Sequence, residues 1–197
     1  MLTNNLELSI ENYLIDNFDK LKINSKEIKK GDVFTALQGK NYHGNAFVKK
    51  ALINGAKYII TDKEIEVKTL SNILQVNDIL IHLLKIANKK RNKFNGKIIA
   101  ITGSIGKTTI KEYLKHLLST QGKISTAIKS YNNYLGVLIS LINIDLHSNF
   151  AIFEVGTNNF NEIKKLTSII MPHQVIITNI FPTHLKNFKN TRNIAIE

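Results

Sequence analysis

Hydrophobic and polar positions change period abruptly between residues 97 and 118. Ile98, Ile99, Ala100 and Ile101 form an unbroken apolar run, mostly β-branched, which predicts a buried strand. After Gly103-Ser104-Ile105-Gly106, apolar residues recur at Ile110, Tyr113, Leu114, Leu117 and Leu118, the spacing of a helix that begins at Lys107. Upstream, the pattern predicts a helix over 6–18 (Leu6, Leu8, Ile10, Tyr13, Leu14, Phe18), a turn at Gly31-Asp32 and a strand from Val33 to Leu37. A polar loop from Gly39 to Gly44 follows, then a helix with Phe47, Val48, Ala51 and Leu52 on one face and a stop at Gly55. A strand at Tyr58–Ile60 precedes a longer helix over 76–92, with Ile79, Leu80, Leu83, Leu84 and Ala87 along one side.

Downstream, strands at 123–127, 150–155 and 174–178 alternate with helices at 134–142 and 160–170, and a last helix starts at Thr191. Such alternation implies parallel sheets with helices on their faces. The expected fold is α/β: a small N-terminal α/β domain over 1–95, then a partial P-loop-type parallel-sheet domain over 96–197, with the boundary at Asn95-Gly96. Ligands of such sheets bind at the carboxyl ends of the strands, which is where Glu154 and Asn179 fall.

Composition narrows the classes. The chain has 197 residues, 43% of them hydrophobic, enough for a proper core. It has no cysteine, which excludes a disulfide framework and a thiol-ligated metal site. The acidic N-terminus lacks the basic and apolar regions of a signal peptide, and no apolar run is long enough to span a bilayer, so a cytoplasmic protein without membrane insertion is expected. The net charge of +12 rests mostly on lysine. No nucleic-acid motif accompanies it, so the lysines, including the KKRNK run at 89–93, are read as solvated helix positions and a linker rather than a nucleic-acid surface.

The chemistry sits in the glycine turn. Thr102, Gly103, Ser104, Ile105, Gly106, Lys107, Thr108 and Thr109 form a T-G-S-x-G-K-T-T loop between strand and helix. Glycines let successive N–H groups approach phosphate oxygens, and the helix N-terminus favours negative charge. Lys107 can reach the β- and γ-phosphates, and the Thr108 hydroxyl can ligate Mg²⁺. The loop is shorter than the usual G-x-x-x-x-G-K-[ST], since Ile101 stands where that pattern has its first glycine. Glu154, closing an apolar strand beside this loop, can hold Mg²⁺ opposite Thr108. His184 lies in a loop just past the next strand end, stiffened by Pro182, while His43, His82, His116, His147 and His173 show no ligand spacing.

Together, the T-G-S-x-G-K-T-T loop, the Glu154 strand and the T-N-I-x-x-x-H segment at 178–184 resemble the Mur ligases, ATP-dependent amide-bond enzymes of peptidoglycan assembly. Three details are most similar to the D-alanyl-D-alanine-adding branch: Asn132-Asn133-Tyr134-Leu135-Gly136, then Glu154 to Asn158 with Asn161-Glu162-Ile163, and Thr178-Asn179-Ile180 with His184-Leu185 and Phe188. The first domain resembles the family's UDP-substrate domain. Asn24-Ser25-Lys26 stands where D-S-R is usual, Phe34 to Gly39 matches F-x-A-L-x-G, and His43-Gly44-Asn45-Ala46-Phe47 replaces D-G-H-D-F. Leu138 stands where a proline is usual.

The resemblance implies ATP and Mg²⁺ as cofactors, and UDP-N-acetylmuramoyl-tripeptide and D-alanyl-D-alanine as substrates joined through an acyl phosphate. It implies catalytic roles for Lys107, Glu154 and His184, a first Mg²⁺ on Thr108 and Glu154, and a second on His184. Residues 102–109 with Asn132 and Asn133 would bind the nucleotide, and Asn24, Ser25 and Lys26 the UDP substrate. Family members carry a longer central domain, a carbamylated lysine and a third domain. The chain reads to Glu197, before any such lysine, so an N-terminal portion with little activity alone is expected, whether by truncation of the gene or by a split gene with a separate chain carrying the rest. Another Mur-type amino-acid ligase, and a P-loop nucleotide-binding remnant without catalysis, remain open alternatives.

Overall fold

The computed structural model describes residues 2–39, 41–65, 71–127 and 131–197, so Lys40 of the expected polar loop lies outside the described residues. The chain forms two compact units, residues 1–89 and 90–197. Each is built on a parallel sheet, as the strand–helix alternation requires.

In the first unit the chain runs α1 (Leu2–Asp16), β1 (Leu21–Lys22), β2 (Val33–Ala36), α2 (Val48–Ile53), β3 (Tyr58–Thr61) and β4 (Ile73–Gln75), and then enters α3 (Ile79–Lys93). The sheet order is β1-β2-β3-β4, all parallel, with Phe34 beside Ile59 and Ile59 beside Ile73. Phe34, Ala36, Val48, Ala51 and Ile59 close into one buried cluster with Ile28. Two strands, β1 and β4, are too short to show alternation, and the periodicity missed them. The long helix starts at Ile79 rather than at 76, for a local reason. The Val76 N–H donates to Thr61 O at 2.8 Å and prolongs the strand pairing, and the Asp78 carboxylate accepts from Ile81 N–H at 3.0 Å as the N-cap. The first helix spans Leu2–Asp16 instead of 6–18, and Phe18 is exposed.

In the second unit β5 (Lys97–Thr102), α4 (Lys107–Leu118), β6 (Ile124–Thr126), α5 (Tyr134–Ile142), β7 (Phe150–Glu154), α6 (Glu162–Ile170), β8 (Gln174–Ile177), α7 (Leu185–Phe188) and α8 (Thr191–Ile196) follow in order. The sheet order is β6-β7-β5-β8, all parallel. Residues Gly136 to Ile142 of α5 are buried on every side, as suits a helix apolar all round. β8 is an edge strand with Val175 and Ile177 exposed.

The solvated reading of 89–93 fails at two residues. Lys90 is 1% exposed, and Arg91 donates from Nε to Ile170 O at 2.6 Å and from a terminal nitrogen to Met171 O at 2.7 Å. Arg91 thereby satisfies carbonyls that the end of α6 leaves without helical partners.

His82 makes the first unit sensitive to acid. It is 6% exposed, and its Nε2 has no hydrogen-bond partner among the described residues. Its Nδ1 lies 3.6 Å from Glu7 Oε1, and Lys85 and Lys89 pair with Glu11 close by. Burial holds the ring below its ordinary value of 6.5; Glu7 and Glu11 oppose this shift, and Lys85 and Lys89 add to it. A depressed folded value means that the unfolded chain binds the proton first, so stability is present above that ordinary value and is lost as pH falls through the folded one. Denaturation midpoints should therefore fall for the wild type between about pH 7.5 and about pH 5.5, and less for His82→Leu. Parallel decline of both proteins would remove His82 as the cause.

Candidate phosphate and cation site

The site begins where β5 ends. β5 lies between β7 and β8, so its carboxyl end opens between two neighbouring strands. Gly103 has φ +124°, and a side chain there would meet Thr178 Oγ1 at 2.3 Å and the backbone of Asn179. Gly106, at φ +88°, is the N-cap of α4, supplies no side-chain cap, and among the described residues has nothing within 4 Å of where a Cβ would stand. The first-turn N–H groups of α4 therefore face an open approach with no capping side chain, an arrangement suited to a phosphate.

Lys107 and Thr108, the first residues of α4, point back into this end of the sheet. Lys107 Nζ donates to Gly103 O at 2.5 Å and to Ser104 O at 3.3 Å. Burial pulls its ammonium below the usual lysine value, and Glu154 offsets part of that shift. The Thr108 hydroxyl donates to Glu154 Oε2 at 3.0 Å. Glu154 is 2% exposed at the end of β7, in register with Ile101, and its other oxygen lies 2.9 Å from Lys111 Nζ. A threonine hydroxyl and a carboxylate meeting beside a phosphate cradle are the oxygen donors that a hard divalent cation takes, so the donor set fits Mg²⁺.

This contact also sets the rotation of α4. The periodicity placed Tyr113 and Leu117 on the apolar face, yet both are more than 60% exposed, while Lys111 is buried. The helix turns the Thr108–Lys111 side towards Glu154 and leaves the two large apolar residues outside.

A second set of bonds holds the loop itself. Asn179 accepts from Ser104 N–H with its backbone oxygen at 3.1 Å and from Ile105 N–H with Oδ1 at 3.0 Å, and its Nδ2 donates to Ile105 O at 2.9 Å. Thr178 Oγ1 donates to Ile105 O at 2.7 Å, and Ser104 Oγ bridges Phe181 O and Phe181 N–H. Ser104 and Ile105 thus spend two loop N–H groups on the protein. The sequence places Asn179 at a strand end and in the T-N-I segment; its bonds to the loop, across more than seventy residues, carry no local signal.

The other expected site residues are distributed as follows. His184 is exposed with φ +53° and lines, with Thr102, Gly103, Ser104, Lys107 and Asn179, a cavity of about 360 Å³. Thr109 is exposed on the first turn of α4. Asn132 and Asn133 line a different cavity of about 150 Å³ with Tyr134, Gly156 and Lys165, and Asn133 Oδ1 caps α5 by accepting from Gly136 N–H at 2.8 Å. In the first unit Ser25 is buried, whereas Asn24 and Lys26 are exposed; Asn24 Oδ1 accepts from Lys26 N–H at 3.0 Å.

Asn179→Ala removes two side-chain bonds to Ile105, each worth about 1 kcal/mol net. Amide exchange at Ile105 should accelerate about tenfold or more, with the global midpoint nearly unchanged. Unaltered exchange at Ile105 would show that the bonds do not restrain the loop.

Two sequence profiles cover most of the chain: the Mur ligase family catalytic domain at residues 17–101 and the Mur ligase middle domain at 101–197. The UDP-N-acetylmuramoyl-tripeptide–D-alanyl-D-alanine ligase of Rickettsia prowazekii is 39% identical over 98% of this chain, which spans 43% of that relative's length. The crystal structure of MurF from Acinetobacter baumannii aligns with a TM-score of 0.78 at 31% identity, over 89% of this chain and 39% of that one. The MurF ligase of Thermotoga maritima, determined in complex with ADP, aligns at 0.77 and 31% identity, over 93% and 42%. With the two profiles together spanning residues 17–197 and a relative 39% identical over 98% of this chain, the chain belongs to the Mur ligase family.

Proposed function

We propose that this chain supplies the ATP-binding and UDP-substrate-binding portions of a ligase that joins D-alanyl-D-alanine to UDP-N-acetylmuramoyl-tripeptide. The observation that carries the reading is the Thr108–Glu154 contact at 3.0 Å beneath a glycine loop whose helix has no side-chain cap. Residues 1–95 take the UDP substrate, with Asn24, Ser25 and Lys26 among its contacts, and residues 96–197 take ATP. The relatives' names support the substrates, and the ADP in the Thermotoga maritima structure supports the nucleotide. The chain spans about two-fifths of the length of these relatives, so contacts to adenine and to the amine substrate are assigned to the remainder of the enzyme, in this chain's continuation or in a separate chain.

The chemistry follows from the substrate. A carboxylate is a poor electrophile, and transfer of the ATP γ-phosphoryl group to it creates a leaving group. The amine of D-alanyl-D-alanine then attacks the carbonyl, and phosphate departs. The tasks of this chain are positioning and charge neutralisation. Lys107 exchanges its loop carbonyls for phosphate oxygens, and the α4 N-terminus holds the phosphate chain. Thr108, Glu154 and Asn132–Asn133 complete the nucleotide side. Mg²⁺, when bound, would be held by Thr108 and Glu154, with His184 assigned to a second ion, and would neutralise phosphate charge. The use of a nucleotide-linked precursor and ATP supports a cytoplasmic reaction. Among the described residues no helix is long and apolar enough to cross a membrane.

Calorimetry of Mg²⁺-ATP with wild type and Lys107→Ala tests the reading. A charge-assisted hydrogen bond is worth about 1.5–3 kcal/mol, so the variant should bind about 10- to 100-fold more weakly. Equal affinity in the two proteins would contradict the assignment.

A further inference from the structure

Lys111 takes no part in the proposed phosphate chemistry, yet it is one of the most enclosed cations of the described residues. Its side chain is 4% exposed, that of Glu154 is 2% exposed, and the two meet at 2.9 Å; Glu112, the other carboxylate in reach at 3.6 Å, is exposed. Burying such a pair dehydrates two charges, and an apolar pair of the same volume is generally as stable or more so. A purely structural purpose therefore accounts poorly for a lysine here. The two Glu154 oxygens point to a better one. Oε1, without a hydrogen bond among the described residues, faces the Lys111 ammonium as an ion pair, Oε2 accepts from the Thr108 hydroxyl, and both partners project from the same side of α4, three residues apart.

We infer that Lys111 is a positioning residue for the cation site: it claims Glu154 Oε1 and thereby fixes Oε2, alone, towards Thr108 and the ion. This rests on the proposed nucleotide function. Glu154 then acts as a single-oxygen ligand, geometrically suited to a small octahedral ion that keeps several of its waters. Without Lys111 the carboxylate would be free to rotate or to turn both oxygens into the site. Lys107, by contrast, serves the phosphates and is bonded to Gly103 O and Ser104 O in this structure. The two lysines, one helical turn apart, divide the work between phosphate and cation.

The test is the gain in ATP affinity on adding Mg²⁺, measured by calorimetry with excess Mg²⁺ and again in chelator, for wild type, Lys111→Met, Lys111→Gln and Lys111→Arg. Circular dichroism identifies the variants that fold, and only these are compared. Loss of a group that orients a metal ligand typically weakens metal affinity about 10- to 100-fold. The magnesium-dependent gain should fall by that order in Lys111→Gln and Lys111→Met and recover largely in Lys111→Arg, while affinity in chelator stays at the wild-type value. The inference is overturned if every folded variant keeps the full gain or exceeds it, or if affinity falls equally with and without Mg²⁺, which is the signature of general damage. Wild type that binds no ATP under either condition overturns the proposed function itself, and this inference with it. Wild type that binds while the variants keep their gain overturns only the role of Lys111.

Discussion

The charge of a carboxylate withdrawn from water must be compensated, and one helix does so for Glu154 twice. The Thr108 hydroxyl hydrogen-bonds one oxygen and the Lys111 ammonium forms an ion pair with the other, which holds α4 against the end of β7. Much of the second unit follows from that constraint. α4 can reach β7 only if the chain leaves β5 and turns back within four residues, so Gly103 must adopt a backbone conformation and a closeness to Thr178 that no side chain permits. The helix is rotated to bring the Thr108 hydroxyl and the buried Lys111 to Glu154, so Tyr113 and Leu117 face out. With the helix fixed, its uncapped N-terminus and Lys107 converge on one open space.

The phosphate loop was legible because it is local. A β-branched run, two glycines and a helical period lie within some twenty residues, and each element restricts the next. Glu154 was legible for a related reason, since an acid that ends an apolar strand is conspicuous. Asn179 and Lys111 were not. Asn179 acts across the sheet, where no spacing rule reaches, and Lys111 looks like any lysine of an exposed helix until its partner is known. The same bias misread 89–93, where composition suggested water and the structure buries Lys90. Short strands were lost for want of length: β1 and β4 have two and three residues, below what alternation can reveal.

The two sides of the site differ in how they are held. The phosphate side rests on backbone geometry and on Asn179, Thr178 and Ser104, groups near solvent whose bonds open at modest cost. The cation side rests on a buried ion pair that cannot open without stranding a charge. A ligand arriving here therefore meets a firm wall at Glu154 and a loop that can adjust. Lys107, sharing its ammonium between Gly103 O and Ser104 O, is held by bonds that a phosphate can replace.

The most direct measurement is a crystal structure of this chain with ADP and magnesium. The account predicts the β-phosphate at the N-terminus of α4 and Lys107 Nζ moved from the two loop carbonyls to phosphate oxygens. It further predicts Thr108 Oγ1 and a single Glu154 oxygen facing the ion, with Lys111 still on the other. Nucleotide bound elsewhere, with Lys107 unmoved, would contradict it.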